Sequence, residues 1–177
     1  TAGPTYESID PVRFIGNHSS GKMGYALANA FADKGADVTL ISGPTNLGVT
    51  NPLIHLHQIT SAKQMFDLVE QKWNQNEIGV FAAAVADYTP KHVSDSKIKK
   101  TEDDLQIDLI KTTDILNWVG QNKKPFQKLI GFALETNDPE KNALKKLTKK
   151  NLDAIVLNSL SDKGAGFGFD TNKVTIL

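Results

Sequence analysis

Residues 16 to 24, Gly16-Asn17-His18-Ser19-Ser20-Gly21-Lys22-Met23-Gly24, are the first stretch whose types and spacing suggest chemistry. Small residues leading into a helix leave backbone N–H groups bare, and bare N–H groups at a helix N-terminus attract phosphate or carboxylate. The spacing G-x-x-x-x-G-K follows a P-loop until its last position. There Met23 replaces the Ser or Thr whose hydroxyl would reach magnesium. No acidic strand end of Walker B type compensates, which argues against an ordinary P-loop NTPase. With Ala26, Ala28, Ala30 and Lys34-Gly35-Ala36 behind it, the same stretch looks like the dinucleotide loop of short-chain dehydrogenases. Those enzymes need Tyr-x-x-x-Lys, and the residues four after Tyr6, Tyr25 and Tyr88 are Asp10, Asn29 and His92. What remains is an anion cradle over Ser19 to Gly24, or else a tight strand-to-helix turn with no ligand.

Other residues could serve an anion. Of the 20 basic residues only Arg13 is arginine, leaving 19 lysines, and lysine cannot copy the guanidinium fork. Lys97, Lys99 and Lys100 form a basic cluster that is either a ligand clamp or a solvated loop. Lys146 and Lys150, four apart, share a helix face and could both reach one polyanion. Asp87 ends an apolar run, where α/β folds place functional carboxylates and where a turn-capping aspartate is equally at home. His55 and His57 share a strand face, but no third metal ligand is in view and exposed histidines are the simpler reading. Trp73 and Trp118 lie at helical spacing among apolar neighbours, as core residues do. There is no cysteine, so thiol catalysis, Cys-ligated zinc and disulfides are all excluded.

The elements that must position these residues alternate between strand and helix. Met23 to Lys34 has helical spacing with Gly35 as its stop, and Val38 to Ile41 follows as a strand. Ile54 to Ile59 is a strand, and Ser61-Ala62-Lys63-Gln64 is a capping box opening a helix through Trp73. The apolar run Ile78 to Ala86 predicts a strand buried on both faces. Residues 91 to 104 are polar and turn-rich, a mobile excursion extending from about residue 88. Leu105, Ile107 and Leu109 then alternate like a half-buried strand. Thr113 can cap a helix to about Gly120, and Leu129 to Ala133 is another strand. Pro139 opens a helix to Lys150, Ala154 to Leu157 is a strand, and Gly164 to Leu177 a glycine-rich loop with a last strand. This order predicts one α/β domain over residues 1–177, a doubly wound, Rossmann-like, mostly parallel sheet with helices on both faces. Its ligands would sit at the carboxyl ends of the strands.

Composition narrows the function. Twenty basic and 20 acidic residues in 177 cancel, and a pI near 6.8 offers no footprint for nucleic acid or a membrane surface. No run reaches the roughly 18 apolar residues of a membrane span, and no signal-peptide pattern opens the chain, so a cytoplasmic location is expected. The first residue is Thr1 rather than methionine, which suggests processing, trimming or excision from something longer.

Taken in order, several motifs are specific enough to identify a family. They are Thr1-Ala2-Gly3-Pro4-Thr5, Asp10-Pro11-Val12-Arg13 with Asn17 to Gly24, and Ala82-Ala83-Ala84-Val85-Ala86-Asp87-Tyr88. Lys97-Ile98-Lys99-Lys100, Gly131-Phe132-Ala133 with Glu135-Thr136, and Lys150-Asn151-Leu152-Asp153 complete the set. The chain resembles the phosphopantothenate–cysteine ligases of the bacterial, CTP-using type. That resemblance implies coupling of 4′-phosphopantothenate to L-cysteine in coenzyme A biosynthesis, through an acyl-cytidylate, with Mg2+ assisting. The alternatives are a nicotinamide-binding Rossmann reductase and an inactive nucleotide-binding module.

Carried over by position, the resemblance implies that Ser19, Ser20, Gly21, Lys22 and Gly24 hold nucleotide phosphate. Asn17 would hold the acyl-cytidylate and support its aminolysis, Arg13 would orient an anionic group, and Lys97 would be a lid lysine facing triphosphate charge. Ala82, Ala83, Ala84, Asp87, Thr113, Asp114, Ile115, Leu116, Phe132, Lys146 and Lys150 match nucleotide contacts. No metal ligand is assigned. Thr113-Asp114-Ile115 stands where the family usually has Pro-Asp-Ile, and Leu134-Glu135-Thr136 where it has Ala-Glu-Thr. The family also implies a homodimer joined near the excursion, a short apolar strand before Thr1, more chain after the last strand, and often fusion to a flavin-dependent phosphopantothenoylcysteine decarboxylase. The chain is therefore expected to be a trimmed ligase domain.

Overall fold

Neighbouring apolar residues on one strand set the architecture, because consecutive side chains of a strand face opposite ways. On β3 (Val38–Ser42), Leu40 joins one buried cluster and Ile41 the other. The computed structural model describes residues 1–100, 104–135, 138–159 and 171–177. The smaller cluster packs α1 (Lys22–Ala32) through Tyr25, Ala28 and Ala32 onto Ala2, Leu40 and Ile54. The larger one gathers Met65, Val69 and Trp73 of α2 (Ala62–Trp73) and Ile115 and Val119 of α3 (Ile115–Gln121). Ala143 of α4 (Pro139–Lys149) completes it against Leu129, Ala133, Ile155 and Leu157. Helices thus cover both faces of the sheet.

The strands are mostly parallel. β5 (Ile78–Phe81), β8 (Lys128–Glu135) and β9 (Ala154–Ser159) pair side by side, with Ile78 opposite Lys128 and Ile130 opposite Ala154. β10 (Val174–Ile176) closes that edge antiparallel. β3 pairs in parallel with β4 (Ile54–Gln58). The first five residues join the two halves, since Ala2 bridges Ser42 and Pro4 bridges Ala84, both in parallel. Upstream of that junction β3 and β5 stand apart, separated by a gap of about 300 Å³ lined by Val38–Ile41, Ile78–Phe81, Trp73 and Leu27. The amine of Thr1 is enclosed at its end and donates to the Val80 carbonyl at 2.7 Å. Burial pulls its pKa down from 8.0 to about 5. Two antiparallel pairs stand off the main sheet: β1 (Tyr6–Ser8) with β2 (Phe14–Gly16), and β6 (Tyr88–Pro90) with β7 (Leu109–Lys111).

The expected start of α2 holds. Ser61 accepts the Gln64 N–H, and the Gln64 side chain accepts the Ser61 N–H, forming the capping box expected. Four expectations need correction. The 78–86 run is a strand only to Phe81, and it is not buried on both faces. Beyond it, Ala84 and Ala86 bond to Gly3 and Thr5 instead. Leu105 and Ile107 are outside any strand, because β6 offers partners only from Leu109 onward, and all of β7 is exposed. Asp114, not Thr113, caps α3, its carboxylate accepting the Asn117 N–H at 3.0 Å. Gly35 lies two residues past the Asp33 cap of α1, with φ 87°. Thr136 and the glycine-rich stretch from Gly164 lie outside the described residues.

Candidate active site

The cradle begins where β2 ends. Asn17 follows Gly16 directly and turns its amide Nδ2 onto the carbonyls of Ala84 and Val85, at 3.1 and 3.2 Å. Asn17 O accepts the Ser19 N–H at 2.9 Å, which folds the loop back toward α1. Gly21 is the N-cap of α1 with φ 78°, a left-handed conformation that disfavours any Cβ. A Cβ there would also come within 2.6 Å of the Thr45 side chain. No side chain caps this helix start. A helix start without a side-chain cap is a place where an anion can be received. Ser19 and Ser20 are half-buried and Lys22 is exposed, so the loop meets solvent. Gly24 does not: it is buried, and a Cβ would approach that of Ala2 within 2.5 Å. Its place is helix-to-strand packing rather than the cradle surface.

A continuous line of bonds leads from Asn17 to the far side of the site. Ala86 N–H donates to Thr5 Oγ1 at 2.9 Å, and Ala86 O accepts from Thr112 Oγ1 at 2.6 Å. Asp87 O accepts the Thr112 N–H at 3.0 Å, while the Asp87 side chain is exposed just before β6, six residues past the end of β5 rather than ending that strand as expected. Thr113 is exposed, and Asp114 next to it receives Lys150 Nζ at 2.9 Å from the end of α4. Leu116 packs against Gly131 of β8, and Phe132 beside it is half-buried. Ile115 is 4% exposed and belongs to the core, so any contact it makes with a ligand is through its backbone. Lys146, half-buried, is one turn before Lys150, and its carbonyl accepts the Lys150 N–H at 2.9 Å. Ala83 N–H donates to Thr1 Oγ1 at 3.3 Å and Ala82 lines the gap between β3 and β5. Of the expected contacts, Asn17, Ala84, Asp87, Thr113, Asp114, Leu116 and Lys150 are thus drawn together.

Arg13 and Lys97 enter by another route. Arg13 Nε and Nη2 both donate to Asp10 Oδ2, and Nη2 donates to the Ile98 carbonyl at 2.9 Å. The Arg13 guanidinium holds the Asp10 carboxyl well below the usual carboxylate range, and the N–H groups of Val12, Ile98 and Arg13 outweigh the opposing effect of burial. Lys97, beside Ile98, is exposed. His55 is exposed and meets Asp37 at 2.7 Å, a surface pair rather than a metal site. Among the described residues no three His, Cys, Asp or Glu side chains gather to hold a metal. Trp73 is buried as expected, and Trp118 meets the Phe66 ring edge-on at 5.3 Å.

Asp10, Thr5 and Thr112 take positioning roles that the sequence did not assign, although Asp10 and Thr5 stand inside its family motifs. Asp10-Pro11 carries a turn signal that could have exposed the first. The two threonines act across 81 and 26 residues, a separation no local pattern encodes.

The family described as the DNA/pantothenate metabolism flavoprotein C-terminal domain matches residues 1–177. A coenzyme A biosynthesis bifunctional protein CoaBC of Bacillus subtilis (strain 168) is 51% identical over 99% of the chain, which covers 43% of that relative. A cysteine/cysteine sulfinic acid decarboxylase from an unknown prokaryotic organism is also 51% identical, over 99% of the chain and 49% of that protein. The chain thus spans about half, or less, of the length of these relatives. The crystal structure of the C-terminal domain of a CoaBC protein superposes with a TM-score of 0.81 at 43% identity, covering 99% of this chain and 77% of that one.

Proposed function

Since the chain belongs to the family of DNA/pantothenate metabolism flavoprotein C-terminal domains, we propose that it is a CTP-dependent phosphopantothenate–cysteine ligase domain of coenzyme A biosynthesis. In the first step a carboxylate oxygen of 4′-phosphopantothenate attacks the α-phosphorus of CTP. The bond to the β-phosphate breaks and pyrophosphate leaves. In the second, the amine of L-cysteine attacks the acyl carbon, loses a proton, and CMP departs with the acyl–oxygen electron pair. Neither step needs a protein nucleophile, which suits a chain without cysteine. Both need positioning and neutralisation of phosphate charge.

The observation that carries this reading is the bond between Asn17 and the Ala84–Val85 carbonyls. It sets the most family-specific loop against the segment after β5, which is linked through Thr112 to Asp114 and Lys150. The start of α1, with glycine at its cap, is suited to phosphate, and Lys150, Lys146 and the exposed Lys97 to its remaining charge. Backbone groups of residues 82–86 and 113–116, with Phe132, are suited to reading a base edge. Magnesium carried on a triphosphate needs only one or two protein carboxylates, and exposed Asp87 offers one. It would supply charge neutralisation.

The proposal has three further parts. The first is a homodimer, supported by Phe14, Leu109, Ile110 and Tyr88, which are all about half exposed on the two outlying strand pairs. The second is an apolar strand ahead of Thr1 lying in the gap between β3 and β5, where a peptide N–H would replace an ammonium that burial disfavours. The third is a longer protein carrying the flavin-dependent phosphopantothenoylcysteine decarboxylase, consistent with the bifunctional and decarboxylase names of the relatives and with a cytoplasmic location where CTP is available. No helix among the described residues is long and apolar enough to cross a membrane. Mass spectrometry of a reaction with CTP, Mg2+, 4′-phosphopantothenate and cysteine tests the reading. The expected product is 4′-phosphopantothenoylcysteine; its absence, with the protein folded, would overturn it.

A further inference from the structure

We propose that Asp10 is a positioning residue for Lys97, acting as a latch on the arm between β6 and β7. The proposal rests on the ligase reading for the role of Lys97, but the latch itself is a matter of geometry. Residues 91–100 form neither helix nor strand, so little within the arm fixes their course. Two contacts tie them to the turn between β1 and β2. Ser94 N–H donates to the Ile9 carbonyl at 3.0 Å. Four residues on, the peptide groups of Ile98 are gripped from both sides. Its N–H donates to Asp10 Oδ2 at 3.1 Å, and its carbonyl accepts Arg13 Nη2 at 2.9 Å.

Asp10 carries more than a local turn requires. Its Oδ1 accepts the N–H groups of Val12 and Arg13, both at 2.8 Å, and that alone would shape the turn. Oδ2 faces the other way, toward Arg13 and the arm 88 residues along the chain. The carboxylate is 2% exposed, so its charge works at short range with little screening. Arg13 serves both partners because one planar fork can span a carboxylate and a carbonyl, a task a lysine ammonium does less well. With Ile98 held, its neighbour Lys97 is placed on a tethered stretch of the arm instead of on a free loop.

Hydrogen exchange and a double-variant cycle test the latch. In Asp10→Asn, amide exchange over residues 94–98 should speed by about tenfold or more, while the β8 and β9 amides keep their protection. Arg13→Lys, which keeps the charge but loses the fork, should give a smaller acceleration at the same amides and serves if Asp10→Asn does not fold. In pyrophosphate release from CTP, Asp10→Asn should lower turnover, and adding it to Lys97→Gln should cost no more than Lys97→Gln alone. Unchanged exchange at 94–98 in both variants would overturn the latch. Faster exchange with wild-type turnover, or losses that multiply, would overturn the positioning of Lys97. A parent protein without turnover on CTP would instead count against the ligase reading, and exchange would still decide the latch.

Discussion

Asn17 rests its amide on two carbonyl oxygens, and this bounds what a substitution there can do. In Asn17→Asp a carboxylate would face those same carbonyls with no proton to donate, so the loop is expected to release that contact. Activation of phosphopantothenate should continue, while capture of the acyl-cytidylate by cysteine should slow by about tenfold or more, as when a charge-adapted hydrogen bond is lost. Pyrophosphate and CMP release followed separately would read the two steps. Asp10 makes a second prediction. Its folded pKa lies below the ordinary carboxylate range, so the ionised form is the stabilised one. That contribution is complete above about pH 4, where an unfolded aspartate is ionised, and fades as pH falls below it. Asp153 acts in the same direction: burial works to raise it, but Lys123, the Leu129 N–H and Lys128 together hold its carboxyl low. Unfolding followed from pH 6 to 3 should show stability falling with acid, and Asp10→Asn should flatten part of that slope. The turn role of Asp10 could be read from Asp-Pro. Its reach to Ile98 could not, because nothing in either segment encodes the other.

Element by element, the capping box of α2, Pro139 at the start of α4 and helix periodicity were legible, whereas strand ends and the caps at Thr113 and Gly35 were not. The Ser61–Gln64 box rests on bonds within one turn and Pro139 at N1 on its fixed φ and missing N–H, so their residues alone specify them. A strand's extent depends on who pairs with it. The run from Ile78 leaves its ladder after Phe81, where residues 1–5 become the partners, and the alternation from Leu105 finds a partner only at Leu109. Close approach of two elements is equally silent in a single segment. Gly120 of α3 sits so near the Lys150 carbonyl that a Cβ would fall 1.9 Å from that oxygen, and Asn151 Nδ2 donates to Gly120 O at 2.9 Å. Gly120→Ala should push the end of α4 away from α3 at a cost of about 1–3 kcal/mol, an overpacking effect. The shift should also loosen the Lys150–Asp114 pair and raise the KM for CTP. Urea unfolding and steady-state kinetics would show both; a change in stability with KM unmoved would detach that pair from nucleotide binding.

At the scale of the whole molecule, the order of strands and helices was readable because each βα unit carries its own periodicity. What the order could not supply was the join: residues 1–5 stitch β3 to β5, and two antiparallel pairs leave the sheet to hold the cradle loop and the arm. The most informative string, Asn17 to Gly24, was legible as a family motif, yet the structure divides it. Its first residue anchors to the segment after β5, its middle forms the helix start, and Gly24 packs against Ala2. A balanced charge over the chain conceals local concentrations of lysine on the arm and along α4, where phosphate charge would have to be met. The central claim is that these parts serve transfer of a nucleotide to a carboxylate. Its most direct measurement is pyrophosphate release from CTP with Mg2+ in the absence of cysteine. Release should depend on 4′-phosphopantothenate, with CMP following only when cysteine is added; a folded protein that gives no phosphopantothenate-dependent pyrophosphate, with or without cysteine, would overturn the ligase reading.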